Sequence, residues 1–357
     1  MNKLFTKRLL TLVISASLFT SVTYSQFDKL DFLKSSTADG IKFLEAYMTP
    51  WINAFGAGLN GSWYNTAKPH KLGGFDITTA LNVGFVPVSA ETFDLSTLGL
   101  SSNISPTTGT APTIAGPDES GPLMKYSVSG YELASFRTPP GVAWRYIPVP
   151  TAQIGVGLPL GTEVKVRFIP RLTFDNDLIH GDIGLWGIGV MHSIMQYVPG
   201  SDLLPVDASV FAGYTKLTGN IPIDLQPGSP QNYTTYNIAS FEDQNLAATV
   251  TALNISAIGS VNLAIITFYA GLGYSKTSTV LQLEGNYPSP VLDVTDVVYN
   301  DSGVKTGDDF GEINIENFSG LRANVGLRFK FAVLTIHADY TRAQYNVVSA
   351  GLGISFR

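Results

Sequence analysis

Asn346-Val-Val-Ser-Ala-Gly-Leu-Gly-Ile-Ser-Phe-Arg357 ends the chain. Val348, Ala350, Leu352, Ile354 and Phe356 fall on one face of an extended strand, and Ser349, Gly351, Gly353 and Ser355 on the other. One face suits lipid, the other a polar interior, and an aromatic stands next to the terminus. That is the pattern of a closing strand in a membrane-spanning β-barrel.

The opposite end of the chain agrees. Lys3, Lys7 and Arg8 precede a short apolar run from Leu9 to Phe19, and Thr23-Tyr24-Ser25 precedes Gln26. This reads as a secretory signal peptide over residues 1–25, because the run is well short of the roughly 20 residues a spanning helix needs. Composition adds limits. The chain has 357 residues, no Cys and a formal charge of -6, with 14% charged residues, 35 Gly, 16 Tyr and 20 Phe. Disulfides and thiolate metal sites are excluded. There is no basic stripe, so nucleic acid is not an expected partner. No segment is a spanning apolar 20-mer, and a chain that crosses lipid without one has to close a barrel to satisfy its backbone.

Between the termini the spacing predicts the following organisation. Phe27, Leu30, Leu33, Ile41, Leu44 and Met48 recur at helical spacing, with Asp39 near an N-cap and Pro50 as a stop. Residues 26–50 are therefore expected to form short N-terminal helices, resting on the barrel rim or plugging its lumen. As a plug, Asp39 and Lys42 would meet wall charges such as Glu163, Arg167 or Arg322. Residues 51–357 are expected to form an all-β, antiparallel transmembrane barrel of twelve strands: 51–64, 74–86, 124–136, 151–158, 162–173, 183–195, 206–217, 246–257, 261–275, 320–329, 332–341 and 345–357. An even strand number with both ends periplasmic puts 65–73, 137–150, 174–182, 218–245, 276–319 and 342–344 outside. The Ser/Thr/Pro/Gly-rich insert 87–123 then falls on the periplasmic side, as a cap or plug, or hides a strand pair and raises the count to fourteen.

Candidate functional residues are those whose phase turns them into the lumen. Glu163, Lys165 and Arg167 alternate with Val164, Val166 and Phe168 and share a face. Arg322 and Arg328 share another, as do His337 and Asp339. Such mixed charge can line a polar pore or knit a narrow barrel shut. No catalytic set emerges. There is no Gly-x-Ser-x-Gly elbow, no His pair at ligand spacing among His70, His180, His192 and His337, and no EF-hand pattern in the acidic stretch 286–318. No cofactor or metal is expected, and His70 is placed in an outer loop.

The stretches Ile41-Lys-Phe-Leu-Glu-Ala-Tyr-Met-Thr-Pro50 and Leu321-Arg-Ala-Asn-Val-Gly-Leu-Arg-Phe-Lys330, with the run to Arg357, resemble a Bacteroidota outer-membrane family of uncharacterised function. The architecture is also loosely similar to the long-chain fatty-acid transporter barrels, which have fourteen strands and an N-terminal hatch. Their Asn-Pro-Ala hatch signature is replaced here by Thr49-Pro50-Trp51, so no ligand-binding residue carries over. The mixed-charge strand faces joined to an N-terminal helical segment point to a non-enzymatic outer-membrane barrel with a channel or small-molecule transport role. The alternative is a structural or accessory barrel serving a secretion or assembly complex, and a hydrolase is more remote. The implied partners are outer-membrane lipid, the barrel-assembly machinery, and a small-molecule solute or protein.

Overall fold

The computed structural model describes residues 30–176, 179–200, 204–227, 234–235, 241, 243–293, 296–299 and 301–356. The expected signal peptide lies outside the described residues. Ten strands close a barrel: β1 (Phe75–Phe85), β2 (Tyr146–Leu158), β3 (Thr162–Asn176), β4 (Ile179–Ser193), β5 (Val206–Pro222), β6 (Asn245–Leu263), β7 (Ile266–Glu284), β8 (Glu312–Phe331), β9 (Leu334–Arg342) and β10 (Val347–Phe356). All pair antiparallel with their chain neighbours, and β1 closes the ring on β10, with Phe75 opposite Phe356. Gaps of a few residues follow β2, β6 and β8, whereas the other end of the barrel carries the long segments 86–145, 223–244 and 285–311.

The wall alternates as a lipid-spanning barrel requires. On β10, Val348, Leu352, Ile354 and Phe356 are exposed, while Ser349, Gly351, Gly353 and Ser355 are buried. Ile77, Leu81, Val166, Phe168, Ile336 and Tyr340 extend the outward belt. Aromatics gather at both edges: Phe75 stacks on Phe356 at 4.9 Å at the short-turn end, and Trp144 meets Tyr146 at 5.5 Å at the other. Among the described residues no helix is long and apolar enough to cross a membrane; the strands do so.

The lumen is full. One helix, α1 (Thr37–Leu59), runs along the barrel interior and is followed by a coil that reaches β1. Its outer half packs in a cap built from the long segments. Phe43, Leu44, Tyr47 and Met48 join Ile114, Met124, Phe136, Leu283 and Phe310. Further in, Ala54, Ala57 and Leu59 meet the wall residues Val149, Leu185, Leu217 and Val347. Trp63 and Tyr64 then pack on Met191, Phe211, Ile258 and Tyr269. Burying each large apolar side chain contributes roughly 1.5–3 kcal/mol, so this filling is firmly held.

Several expectations are corrected. The strand expected at 51–64 is the second half of α1 and the coil after it, so the wall starts at Phe75 and the count is ten, neither twelve nor fourteen. Pro50 does not stop the helix. The carbonyls of Glu45 and Tyr47, in the turn before it, take donors from Thr49 Oγ1 at 2.6 Å and Ile114 N at 3.0 Å. The cap itself is Ser36, accepting from Asp39 N at 3.1 Å, so Asp39 does stand near the N-cap as expected. Segment 124–136 is a hairpin of the cap, Leu123–Val128 with Tyr131–Arg137. The insert 87–123 lies at the long-loop end, not opposite it, and 65–73 lies at the short-turn end.

Candidate luminal site

The inner end of α1 is where the predicted luminal charges do most. A helix C-terminus leaves carbonyls without amide partners and carries partial negative charge. Here barrel arginines take those carbonyls. Arg167, fully buried on β3, donates through Nη1 to Leu59 O at 2.7 Å and through Nη2 to Gly61 O at 2.6 Å. Its Nε donates to Gln153 Oε1 at 3.0 Å, and its guanidinium carbon lies 3.6 Å from the Trp63 ring centroid. Arg322 on β8 donates through Nη1 to Asn60 O at 2.7 Å and through Nη2 to Thr341 Oγ1 at 3.2 Å.

Close backbone approach makes this seating possible. Gly84 on β1 faces the Ala54 carbonyl, and a Cβ built at Gly84 would stand 2.1 Å from that oxygen. On the helix side, a Cβ at Gly58 would stand 2.6 Å from Val149 Cγ2. Neither contact tolerates a side chain without moving helix from wall.

Below the arginines the coil is fixed by polar contacts. Ser62 Oγ donates to Asn82 Oδ1 at 2.7 Å, and Tyr64 OH to Asn324 Oδ1 at 2.7 Å. Asn65 Nδ2 reaches His337 Nδ1 at 3.5 Å, and Ala67 N donates to Ser260 Oγ at 3.0 Å. Asp339 does not pair with His337; it accepts from Tyr269 OH at 3.0 Å.

At the short-turn end a small polar cleft remains between the coil and the wall. Asn65, Thr66, His70, Asp76, Glu163, Lys165 and Arg328 are among its lining residues. Glu163 is paired with Lys165, and Lys165 lies 3.5 Å from Asp76. His70 Nδ1 is 2.9 Å from Glu163 Oε2 and 3.7 Å from Asp76 Oδ1. His70 Nε2 lies 3.0 Å from Ser355 Oγ, which also takes Arg328 at 3.4 Å and Lys330 at 3.2 Å.

All seven expected residues are thus buried inside the ring, in three groups. Glu163, Lys165 and Arg328 line the cleft; Arg167 and Arg322 hold the helix end; His337 and Asp339 meet the coil and a wall tyrosine. Asp39 and Lys42 reach none of the wall charges expected for them. They bind the outer cap instead: Asp39 Oδ1 accepts from Ser101 N at 2.9 Å, and Lys42 donates to Gly99 O. Burial pushes the Asp39 carboxyl up, but hydrogen bonds from Ser101 and Ser36, with the Lys42 charge, outweigh it and hold it below the usual carboxylate range. His70, Asp76 and Trp63 were not singled out from sequence. Asp76 already stood on the polar face of its alternating strand. Trp63 falls in the segment that reads as a strand, and His70 in a connection that reads as a loop but is expected at the outer end.

The chain belongs to a family of unknown function (DUF6588), matched over residues 1–356. No curated protein matches it. Among solved structures it is similar to the translocator domain of autotransporter NalP from Neisseria meningitidis, at 12% identity and a TM-score of 0.30 over 85% of this chain and 93% of that one. It is also similar to Ail of Yersinia pestis, at 9% identity and a TM-score of 0.27 over 80% and 98%. The toluene transporter TodX of Pseudomonas putida follows at 10% identity and a TM-score of 0.24 over 79% and 89%. At these scores the similarity says nothing of function.

Proposed function

We propose that the protein is a non-enzymatic outer-membrane channel whose lumen is closed by its own N-terminal segment, and that solute passes only when α1 and the coil behind it yield. One observation carries this reading: α1 and residues 60–74 traverse the ring, and Arg167 and Arg322 tie the helix end to the wall. Residues 1–25 act as the signal peptide. The short turns face the periplasm, the cap faces outward, lipid surrounds the belt, and barrel-assembly machinery inserts the chain. The Bacteroidota placement suggested by Ile41–Pro50 and Leu321–Arg357 belongs to the same proposal. The solute is small and polar, in keeping with the cleft residues Asp76, Glu163, Lys165 and Arg328.

The absence of Cys gives a clean test. A Cβ built at Gly58 lies 3.0 Å from Val149 Cβ, close to the span of a disulfide after a small shift. Gly58→Cys with Val149→Cys should lock the helix to β2. In planar bilayers, deletion of residues 26–59 should raise conductance, and the oxidised double variant should stay silent until reduced. Conductance of the oxidised form equal to that of the reduced form would show that the helix does not gate. Silence of every form, including the deletion, would favour an accessory barrel.

A further inference from the structure

The cleft at the short-turn end holds an imidazole and two carboxylates from three separate segments. His70 comes from the coil, Asp76 from β1 and Glu163 from β3. One ligand atom from each can be chosen so that all lie within 4.8 Å of one another; His70 Nδ1 is 3.7 Å from Asp76 Oδ1 and 2.9 Å from Glu163 Oε2. Asp76 and Glu163 are buried.

We propose that these three residues bind a divalent transition-metal ion of the zinc type, clipping the luminal coil to the barrel wall. The donor set selects the class. One imidazole nitrogen and two carboxylate oxygens suit zinc, whereas calcium takes six to eight oxygens at longer distances. The remaining carboxylate oxygens are already used. Glu163 Oε1 pairs with Lys165, and Asp76 Oδ2 accepts from Thr78 Oγ1 at 2.8 Å. Glu163 Oε2 and Asp76 Oδ1 are the oxygens nearest His70 Nδ1; the first also accepts from the His70 backbone N–H at 2.8 Å, which holds it in place, and the second lies 3.5 Å from Lys165 Nζ. With Nδ1 as ligand, Nε2–H donates to Ser355 Oγ, the outer contact that fixes a metal-bound imidazole.

A second feature of the wall points the same way. β2 runs between the two strands that supply the carboxylates, and it places Gly155 at the site. A Cβ there would lie 2.3 Å from Asp76 Oδ1 and 2.7 Å from Glu163 Oε1. Two residues on, a Cβ at Gly157 would lie 2.4 Å from His70 O. The strand has no side chain where the carboxylates and the His70 backbone need room. The cleft beside them leaves a fourth position to water or a solute atom. Lys165 is the present partner of both carboxylates, through Glu163 Oε1 and, at 3.5 Å, through Asp76 Oδ1, so an ion seated here takes the place of Lys165 on Asp76.

The metal site does not depend on the channel reading. The test uses the full-length protein, folded in detergent, stripped with a chelator and titrated calorimetrically with ZnCl2. Co2+ serves as a spectroscopic probe. We expect one Zn2+ per chain and a Co2+ absorption spectrum of low-coordinate nitrogen and oxygen ligation. His70→Gln and Asp76→Asn should each weaken Zn2+ binding at least tenfold. His192→Gln, at the exposed His192–Gln196 pair, should leave it unchanged. His70→Gln is the deciding variant because His70 lies outside the wall, and heat-modifiable migration reports that the barrel has folded. No stoichiometric binding by the wild type, or undiminished binding by folded His70→Gln, would overturn the proposal.

Discussion

Arg167 and Arg322 stand on strands that are five apart in either direction around the ten-strand ring, and their guanidiniums meet on consecutive carbonyls of the same helix end. Two opposite walls thereby hold one end of α1. Charged hydrogen bonds of this kind contribute roughly 1.5–3 kcal/mol each, and the helix-end charge adds up to about 2 kcal/mol in a buried setting. Arg167→Gln or Arg322→Gln should each lower the unfolding midpoint and produce brief conductance openings. The double variant should open for longer, with a cost that departs from the sum because the carbonyls are neighbours. A double variant as silent and as stable as the parent would remove the arginines from any gating role.

Gly84 gives a steric test of the same packing. Gly84→Ala should reduce the yield of folded barrel, because the new Cβ meets the Ala54 carbonyl at 2.1 Å. Gly259→Ala is the matched change on an exposed wall position, where a new Cβ would meet only Asp207 O, at 4.0 Å, and should be neutral. Heat-modifiable migration of the two variants decides it; equal yields would place Gly84 away from the helix.

The terminal strand separates lipid from lumen by one residue. Phe356 is exposed and stacked on Phe75, while Ser355 is buried beside Arg328, Lys330 and His70. Phe356→Asp loses an aromatic pair worth about 0.5–1.5 kcal/mol and puts charge toward lipid. Ser355→Asp puts it among cations. Membrane yield of Phe356→Asp should fall far below that of Ser355→Asp, and the reverse order would invert the assigned faces.

Two groups in the outer cap, buried Asp39 and half-buried Lys305, set the acid and alkaline ends of one pH trend. Lys305 donates to Leu33 O at 3.4 Å and to Ser35 O, and burial pushes its pKa down from 10.5 to about 8, against a smaller opposing pull from Asp309. Its folded value lies below the unfolded one, so the unfolded state binds more protons between about pH 8 and 10.5 and stability rises across that window. The Asp39 carboxyl is also held down, so its contribution is present above the ordinary carboxylate value and is lost as pH falls through the folded one. Protease resistance of the N-terminal segment should therefore climb from neutral to alkaline pH and drop in acid. Lys305→Met should flatten the first arm and Asp39→Asn the second; unchanged arms in both variants would assign the pH response elsewhere.

Alternation exposed much of the wall before any coordinates. β1, β3, β9 and β10 each follow period two, and that period alone turned Glu163, Arg167, His337 and Asp339 inward. The plug was hidden for a physical reason. A helix walled in on every side has no polar face, so its pattern loses the usual contrast. Trp51, Phe55, Leu59 and Trp63 recur every four residues, a helical interval, yet among Gly56, Gly58 and Gly61 they mimic an aromatic-edged strand. The Leu123–Arg137 hairpin is truly strand-like, and periodicity does not tell a strand in the wall from one in the cap. The His70, Asp76 and Glu163 cluster has no linear spacing to find, because the pairing of β1 with β2 and β2 with β3 assembles it across the long segment 86–145.

Ring closure also has an order. The strands that seal the wall, Phe75–Phe85 and Val347–Phe356, are the first and last to leave the chain, and α1 precedes both. A helix seated against Gly84 and Val149 and covered by the Leu123–Arg137 hairpin cannot be threaded into a finished cylinder of this bore. The sheet is wound with the helix already inside, held by contacts that the strand pairing of the wall does not itself need. Whatever machinery joins β1 to β10 must therefore accept a curved, already loaded sheet, with its earliest-made segment at the centre.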